Sequence, residues 1–424
     1  MIKSVRTSIG IYICTIILVY LYIFHLSDTS IPLDYQNTSA DSATFMNEKQ
    51  LLLSEQFSQI KNFLYFIETP FEWLFYFLIL AVGLSDKMMK SSLAISSKSI
   101  IQKLIYFFYL SLLSFVAFFP FNYVSYYLSE KYGLATQSFS LWMKDELIDF
   151  WVNFGIMFLV VLVFYYFVNK SVKRWWLYLW VLSIPFMLFF MFVKPVVIDP
   201  LYNDFYPLKN KELEAKILAL AEEANIPAEH VFEVNMASKT NTMNAYVTGI
   251  GSNSRIVLWD TTLNKLDDDE ILFIMAHEMA HYVEKHIYIG IALYALFGFV
   301  GLWLTAKLME FVMKRWGTHL HITSMNSLSS LPLFLCVLSL LTFLSSPLDN
   351  SISRYQESRA DHYAIKMTED QDAAVNTFQE LAKSSLSQVN PPWLVKIFRY
   401  GHPTMLERIS TLDNYKSEHK KVDK

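Results

Sequence analysis

Long apolar segments alternate with shorter polar ones along most of the chain, and this pattern predicts a bundle of membrane-spanning helices. A helix needs about 20 mostly apolar residues to cross the hydrocarbon core of a bilayer. Seven segments approach that length: Ile9–Leu26, Phe63–Leu84, Ile100–Tyr123, Phe150–Val168, Trp175–Val197, Ile287–Leu308 and Leu328–Leu344. The second is the least regular, because Glu68, Pro70 and Glu72 near its start could mark a separate short helix. We expect the first to be retained, since its apolar run is longer than a usual signal-peptide core.

Two polar segments predict a folded part outside the bilayer, from about Asp199 to His286 and from Pro347 onward. In the first, helical spacing over Lys211–Asn225 is followed by three runs of strand composition, Val231–Val234, Ala245–Thr248 and Arg255–Trp259. Turn-forming residues between the last two runs predict a hairpin: Gly249, Gly251, Ser252 and Asn253. An acidic run, Asp267–Glu270, then predicts the N-terminus of a helix.

The composition agrees with a membrane protein and removes several classes of function. Hydrophobic residues make up 54% of the chain and charged residues only 17%, whereas a soluble domain carries about 25% charged residues. Only two cysteines occur, Cys14 and Cys336, and both lie in apolar stretches. That count excludes a disulfide framework and a cysteine-based metal site. The net charge is −4 and no long basic run is present, so we expect no nucleic-acid partner.

The helix predicted after Asp267 carries His277-Glu278-Met279-Ala280-His281, an H-E-x-x-H motif. Residues at positions i and i+4 share one face of a helix, so both imidazoles can reach one zinc ion. Glu278 lies beside the open coordination position and can take a proton from a water whose pKa zinc lowers to about 7. The alternative interpretation is a chance match. The context argues against chance, because an apolar run, Ile271–Ala276, precedes the motif and would pack the helix into a core.

Two histidines and a water leave tetrahedral zinc one ligand short. Glu284 and His286 follow the motif, but Glu284 suits a solvated or capping charge, and no glycine-containing step leads to His286. The distant segment from Ser353 to Asp361 reads as a helix with Glu357 and Asp361 on one face and Arg354 one turn before Glu357. These carboxylates suit a metal ligand and a group that supports a metal-bound histidine. The alternative is an exposed helix with ion pairs. Two predicted spans separate His281 from Glu357, so both lie on the same side of the membrane.

Several motifs in the second half of the chain resemble the type I CAAX prenyl protease family of integral-membrane zinc peptidases, which also includes bacterial heat-shock membrane proteases. They are Pro200-Leu201-Tyr202-Asn203 with Pro207-Leu208, Asn244-Ala245-Tyr246, the run from Arg255 to Thr261, the H-E-x-x-H helix, the Glu357–Asp361 segment, and His402-Pro403 with Arg408. The CAAX protease branch is the more similar one, because seven spans and the order of the motifs agree with it.

The resemblance implies a mainly α integral membrane protein whose roughly seven transmembrane helices form a chambered barrel, closed by a zincin-like α+β zinc domain. It implies one Zn2+ per chain with His277, His281 and Glu357 as ligands and Asp361 behind them. Glu278 would be the general base. Asn244, Ala245 and Tyr246 would bind extended substrate by strand addition, and His402 would help to stabilise the oxyanion. His402 next to Pro403 could equally be a residue at the start of a helix.

These expectations define four segments: five spans in residues 1–196, the first part of the peptidase domain with the H-E-x-x-H helix in 197–286, two spans in 287–346, and the remaining peptidase part in 347–424. The predicted function is that of a membrane-embedded zinc metalloendopeptidase. Its partners would be the lipid bilayer and a peptide or protein substrate, membrane-associated or lipidated. Two alternatives remain: a site-2-type intramembrane protease with Asp349 as third ligand, and a non-catalytic membrane protein with a relic motif.

Basic residues flank the predicted spans unevenly. The side of the N-terminus carries Lys3, Arg6, Lys87, Lys90, Lys98, Lys103, Lys170, Lys173, Arg174, Lys307, Lys314 and Arg315, against Lys49, Lys61, Lys131 and Lys144 in short loops on the other side. Because cytoplasmic loops are enriched in Lys and Arg, this predicts a cytoplasmic N-terminus and a zinc site on the opposite face. That orientation weakens a strict CAAX-processing role and favours a bacterial inner (cell) membrane, with the endoplasmic reticulum membrane as the alternative.

Overall fold

The computed structural model describes residues 2–228, 230–248 and 255–415, so the predicted turn residues Gly249, Gly251, Ser252 and Asn253 lie outside it. The helices of the described residues are α1 (Ile2–Leu21), α2 (Ser42–Phe45), α3 (Glu48–Ala81), α4 (Leu84–Ile95), α5 (Ser99–Lys131), α6 (Phe139–Lys170), α7 (Trp175–Val193), α8 (Lys211–Glu223), α9 (Asp260–Lys265), α10 (Asp268–Val283), α11 (His286–Trp316), α12 (Leu331–Thr368), α13 (Gln371–Ser385), α14 (Trp393–Arg399) and α15 (Met405–Asp413). The strands are β1 (Phe205–Pro207), β2 (Val231–Val234), β3 (Ala245–Thr248) and β4 (Arg255–Trp259).

In the part of the chain that the structure describes, six helices are long and apolar enough to cross a membrane: α1, α3, α5, α6, α11 and α12. A seventh span is obtained when α7 is counted together with the segment Lys194–Leu201, from which it is separated by a bend of 44°. The predicted fold class is therefore confirmed: the chain is mainly helical, with six to seven spans and a separate α+β part. The irregular second span is one continuous helix, α3, with Pro70 inside it.

Several spans extend well beyond the bilayer. Helix α12 has 38 residues, which corresponds to about 57 Å at 1.5 Å per residue and is nearly twice the hydrocarbon thickness. Its apolar N-terminal half crosses the membrane, and its polar C-terminal half projects into the α+β part. The sequence pattern placed the end of this span near Leu344, because composition alone does not show that a helix continues after it leaves the bilayer.

Contacts between the connecting segments agree with the predicted alternation of sides. The Ser54 hydroxyl donates to the Ser387 carbonyl over 2.8 Å, and the Asn241 amide donates to the Gly133 carbonyl over 2.8 Å. These contacts bring segments after the first, third, fifth and seventh spans together on one face. At the opposite end of the bundle the Asn326 amide donates to Asn169 over 2.7 Å.

The four strands form one sheet in the order β1-β2-β4-β3. Strands β1 and β2 are antiparallel, β2 and β4 are parallel, and β3 and β4 are antiparallel as the predicted hairpin requires. Strand β3 is thus at the edge of the sheet. Helices α8 and α10 cover one face, where Ile217, Ile256, Leu258, Ile271 and Met275 belong to a single buried core.

Helix α10 begins where the acidic run predicted it. The Asp267 side chain accepts from the backbone N–H of Glu270, and the Glu270 side chain accepts from the backbone N–H of Asp267. This reciprocal capping satisfies two backbone donors that a helix start leaves unpaired. On its far side α10 packs against α12 and α13, with Phe273 edge-on to Phe378. The helix that carries the motif is therefore fixed between the sheet and the continuation of a membrane span.

Candidate metal centre

His277 and His281 project from the same face of α10, as the i and i+4 spacing requires. Their Nε2 atoms lie 3.3 Å apart. Glu357, from the membrane-distal half of α12, brings Oε2 to 3.1 Å from the His277 Nε2 and Oε1 to 3.5 Å from the His281 Nε2. His277 and Glu357 are both buried. Among the described residues, these three are the side chains whose donor atoms converge closely enough to hold one metal ion.

The geometry of this group fits zinc. With bonds of about 2.0–2.1 Å, two ligand atoms of a tetrahedral zinc site lie about 3.3 Å apart, and the observed separations run from 3.1 to 3.5 Å. The Glu357 Oε2 is buried and has no hydrogen-bond partner of suitable angle, although the His277 nitrogen is close to it. A buried anionic oxygen without a donor is costly unless a cation binds it. The three side chains therefore have the donor atoms and the spacing to hold a metal ion.

Glu278 lies between this group and the edge of the sheet. The backbone N–H of Val247 in β3 donates a hydrogen bond to its carboxylate. Asn244 accepts a backbone hydrogen bond from Trp259 of β4 at 3.1 Å. Because paired residues of antiparallel strands alternate between hydrogen-bonded and non-hydrogen-bonded positions, the main-chain groups of Ala245 and Val247 point to the free edge of β3, on the side of Glu278.

A buried ion pair supports His277 from behind. The Nδ1 of His277 lies 2.9 Å from an Asp361 oxygen, and Arg408 of α15 donates to both Asp361 oxygens over 2.9 and 2.6 Å. Arg408 also lies over the Phe378 ring, 3.9 Å from its centroid. A carboxylate at the second nitrogen fixes the tautomer of a metal-binding histidine, so that Nε2 is free for the metal. Sequence reasoning gave Arg408 no role, because its place depends on how α15 packs against α12.

His402 contacts the candidate metal group, and Asn244 lies at the start of β3. The Nε2 of His402 lies 3.4 Å from the Glu357 Oε2, while its side chain is 65% exposed. His402 therefore combines contact with a buried candidate ligand and access to open space. It lies two residues before Thr404, the N-cap of α15, and therefore does not begin that helix. The Asn244 backbone is tied to the Thr262 hydroxyl through both its N–H and its carbonyl, over 2.9 and 2.7 Å, and its side chain is exposed.

The metal-free site distributes protons unevenly. Burial lowers the pKa of His277, but its close contacts with the Asp361 and Glu357 carboxylates outweigh burial and raise that pKa to about 9. Burial lowers the pKa of His281 to about 4 and raises the pKa of Glu278 to about 6. Contact with two carboxylates therefore favours a proton on the His277 imidazole. A metal ion that binds at neutral pH must displace this proton.

The other residues considered as ligands occupy different places. Glu284 accepts a hydrogen bond from Arg359 over 2.8 Å and faces away from the group. His286 lies behind His281, with the two Nδ1 atoms 2.9 Å apart. Asp349 is exposed, two turns before Glu357 on α12. Arg354 donates to the carbonyls of Lys396 and Tyr400, over 3.1 and 2.7 Å. Arg354 lies one turn before Glu357, as predicted, and its hydrogen bonds hold the segment that leads to His402.

Comparison with known proteins matches two family descriptions to the two parts of the chain. The family described as peptidase family M48 matches residues 207–416, and the family described as CAAX prenyl protease N-terminal, five membrane helices, matches residues 9–204. A Bacillus subtilis protein called "Uncharacterized metalloprotease YhfN" is 50% identical over 96% of this chain and 96% of its own length.

More distant relatives carry a more specific name. The "CAAX prenyl protease 1 homolog" of Dictyostelium discoideum is 31% identical over 69% of each chain, and the "CAAX prenyl protease 1" of Saccharomyces cerevisiae is 29% identical over 76% of this chain and 74% of its own. The crystal structure of S. mikatae Ste24p has the same fold, with a TM-score of 0.79, 23% identity and coverage of 96% and 97% of the two chains.

Proposed function

The chain belongs to peptidase family M48, in the branch of the membrane-embedded CAAX prenyl proteases, and from this premise we propose that it hydrolyses peptides bound along the free edge of β3. Membership in a family of metalloproteases argues against both alternatives, the site-2-type protease and the non-catalytic protein with a relic motif. The observation that carries the proposal is the convergence of His277, His281 and Glu357 on one point, with Glu278 between that point and β3. In the proposed site these three residues hold Zn2+, and Glu278 is the catalytic base.

Extended substrate would join the sheet as a strand. At the free edge, Ala245 offers its main-chain N–H and carbonyl and Val247 offers its carbonyl, since the Val247 N–H already donates to Glu278. Pairing with these groups would orient the scissile bond along β3. The sequence predicted substrate binding by Asn244, Ala245 and Tyr246, but with this register only Ala245 and Val247 would pair with substrate through the main chain. The Asn244 and Tyr246 side chains instead line a cavity of about 580 Å³ beside β3, which also contains Trp259. This cavity would receive a substrate side chain.

In the proposed reaction the chain's own residues would transfer one proton and stabilise the negative charge that develops on the substrate carbonyl oxygen. When bound, zinc lowers the pKa of a water molecule and polarises the substrate carbonyl. Glu278 takes the proton that this water loses and then passes it to the leaving amine. His402 reaches the site from the solvent-accessible side and would donate to the oxygen that becomes negatively charged, with the exposed Asn244 amide as a second donor. Asp361 would keep His277 in the tautomer that presents Nε2 to the metal.

The location of the protein is proposed from its charges and its relatives. It is a multi-pass membrane protein, and the bacterial relative of 50% identity supports a bacterial cell membrane. The excess of Lys and Arg on the N-terminal side of the spans supports a cytoplasmic N-terminus and a site on the outer face. Substrates would then be membrane-associated peptides, without a requirement for a prenyl group. Reporter fusions after Lys3 and in the loop near Lys131 test this, and an external N-terminus would contradict the orientation.

The catalytic proposal is tested by Glu278→Gln in the full-length protein. We expect this variant to retain one zinc per chain and to lose peptidase activity by a factor of about 10³ or more, because it removes the proton acceptor without removing a ligand. Asp269→Asn, an exposed carboxylate on the same helix, is the matched control and should behave as wild type. Mass spectrometry of membrane peptides that accumulate in a Glu278→Gln strain would identify substrates. Hydrolysis retained by Glu278→Gln, or a zinc-loaded wild type that cleaves no membrane peptide, would contradict the proposal.

A further inference from the structure

His286 lies against His281 although five residues separate the two along the chain. In a continuous helix, residue i+5 would point about 140° away from residue i. Here α10 ends at Val283, and Lys285 adopts the left-handed conformation with φ of 59° before α11 begins at His286. The turn brings the His286 Nδ1 to 2.9 Å from the His281 Nδ1, with the ring centroids 5.0 Å apart. His286 is only 7% exposed.

With zinc bound to the His281 Nε2 as proposed, one arrangement of protons satisfies this contact. His281 presents Nε2 to the candidate metal site, so its Nδ1 carries the hydrogen and donates to the Nδ1 of His286. A neutral His286 then carries its hydrogen on Nε2, which lies 3.3 Å from a Glu284 oxygen. Glu284 in turn accepts two hydrogen bonds from the guanidinium of Arg359 on α12. The opposite tautomer of His286 would place two hydrogens between the rings and a lone pair against the carboxylate.

We propose that His286 is a positioning residue for His281, held in its tautomer by Glu284 and Arg359. The inference rests on the proposed metal site and deepens it. Each of the two histidines then has its own support: His277 is held by a buried carboxylate, and His281 by a neutral imidazole that leads to an ion pair nearer the surface. The His281 support also joins the end of α10 to α12, the helix that supplies Glu357.

Substitutions of His286 should separate hydrogen-bond acceptance from bulk. His286→Leu removes the acceptor, and we expect apparent zinc affinity to fall by about 10- to 100-fold, as is usual when the partner of a metal-binding histidine is lost. His286→Asn places an oxygen where Nδ1 lies, so affinity should stay within about threefold of wild type. His362→Leu replaces an exposed histidine on α12 and is the control. Affinity is measured with the purified full-length protein by competition with a zinc chelator at fixed pH.

A second variant and a second measurement keep the test independent of folding and of activity. Glu284→Leu leaves His286 in place but removes its anchor, and we expect a smaller loss of affinity, about 3- to 10-fold, in the same direction. With Co2+ in place of zinc, His286→Leu should shift the visible absorption bands, whereas His286→Asn should preserve them. Unchanged zinc affinity and unchanged Co2+ spectra in both His286→Leu and Glu284→Leu would overturn the inference.

Failure of the proposed function would be recognised separately. If His281→Ala leaves zinc binding intact, the metal site is wrong, and the inference fails with it. If His286 variants lose zinc as expected but the zinc-loaded wild type cleaves no peptide, the positioning role stands and the peptidase proposal fails. The metal measurements therefore decide the inference, and the hydrolysis assay decides the function.

Discussion

Replacement of Arg408 by Met tests whether the ion pair behind His277 is needed for the fold as well as for the metal. Arg408 and Asp361 are 7% and 3% exposed, and two hydrogen bonds of 2.9 and 2.6 Å join them. Met retains the apolar contact with the Phe378 ring but removes both donors. Asp361 is then left as a buried carboxylate whose remaining partner is His277.

The expected loss follows from this burial. Breaking a buried pair by removing one partner costs about 3–5 kcal/mol, so Arg408→Met should lower the free energy of unfolding by that amount. Asp361→Asn should cost less, about 2–3 kcal/mol, because the Glu357 Oε2 remains 3.8 Å from the Arg408 guanidinium. The double variant should be little worse than Arg408→Met alone, which gives a coupling energy of at least about 2 kcal/mol.

The assay is denaturant unfolding of the four proteins in detergent micelles, followed by tryptophan fluorescence. Zinc is removed with a chelator beforehand, because bound metal would raise the apparent stability of each variant by a different amount. Lys216 and Asp268, 2.7 Å apart and 41% and 37% exposed, supply the control cycle, where we expect less than about 1 kcal/mol of coupling. If the Arg408 and Asp361 effects add to within about 0.5 kcal/mol, the reasoning from burial is refuted.

Three further predictions concern the site itself. Burial raises the pKa of Glu278, whereas a bound zinc ion nearby would lower it. In the zinc-loaded enzyme kcat/KM should fall about tenfold per pH unit below the pKa of Glu278 and level off above it. A pH profile without this acid limb would contradict its role as base. Contacts with the Asp361 and Glu357 carboxylates, acting against burial, raise the pKa of His277 to about 9, so zinc must displace a proton from this imidazole. Apparent zinc affinity, measured by chelator competition, should therefore rise about tenfold per pH unit from pH 7 to 8. An affinity that does not change with pH would contradict a protonated His277. Arg354→Met should lower kcat about 10- to 100-fold by displacing the segment before His402. In a His402→Ala background the same substitution should cause no further loss of kcat. Fully additive losses in steady-state assays would show that Arg354 does not act through His402.

Periodicity and composition predicted the parts of the fold that depend on solvent. The six to seven spans could be predicted because each must present apolar side chains to lipid, and the start of α10 because Asp267 and Glu270 cap it. A helix over Ser353–Asp361 was predicted, but its continuity with the last span as the single helix α12 was not, nor was the start of α3 at Glu48, because composition does not show whether a helix is interrupted where it leaves the bilayer. The bend after α7 also escaped prediction, because no local pattern fixes the angle between consecutive helices.

Some residues of the candidate site could likewise be predicted from the sequence, whereas others could not. His277, Glu278 and His281 follow from the geometry of one helix, and the number of intervening spans places Glu357 on the correct side of the membrane. Val247, Arg408 and His286 needed the structure. Val247 takes its position from the register of β3 on β4, and Arg408 from the packing of α15. His286 was dismissed as a ligand on its spacing, and the spacing could not show that a left-handed residue would turn it back towards His281.

The arrangement of the ligands ties metal binding to the packing of two membrane spans. His281 lies two residues before the end of α10, a short turn leads into α11, and Glu357 projects from the continuation of α12; α11 and α12 pack against each other. Separations of 3.1 to 3.5 Å between ligand atoms leave little tolerance for a change in the angle between these spans. A metal that binds only the packed arrangement must stabilise that arrangement, by about 4 kcal/mol when its free concentration is a thousand times the dissociation constant. If these three side chains hold zinc as proposed, hydrolysis and the packing of the last two spans are coupled through them, because undocking of α12 would remove Glu357 from the two histidines.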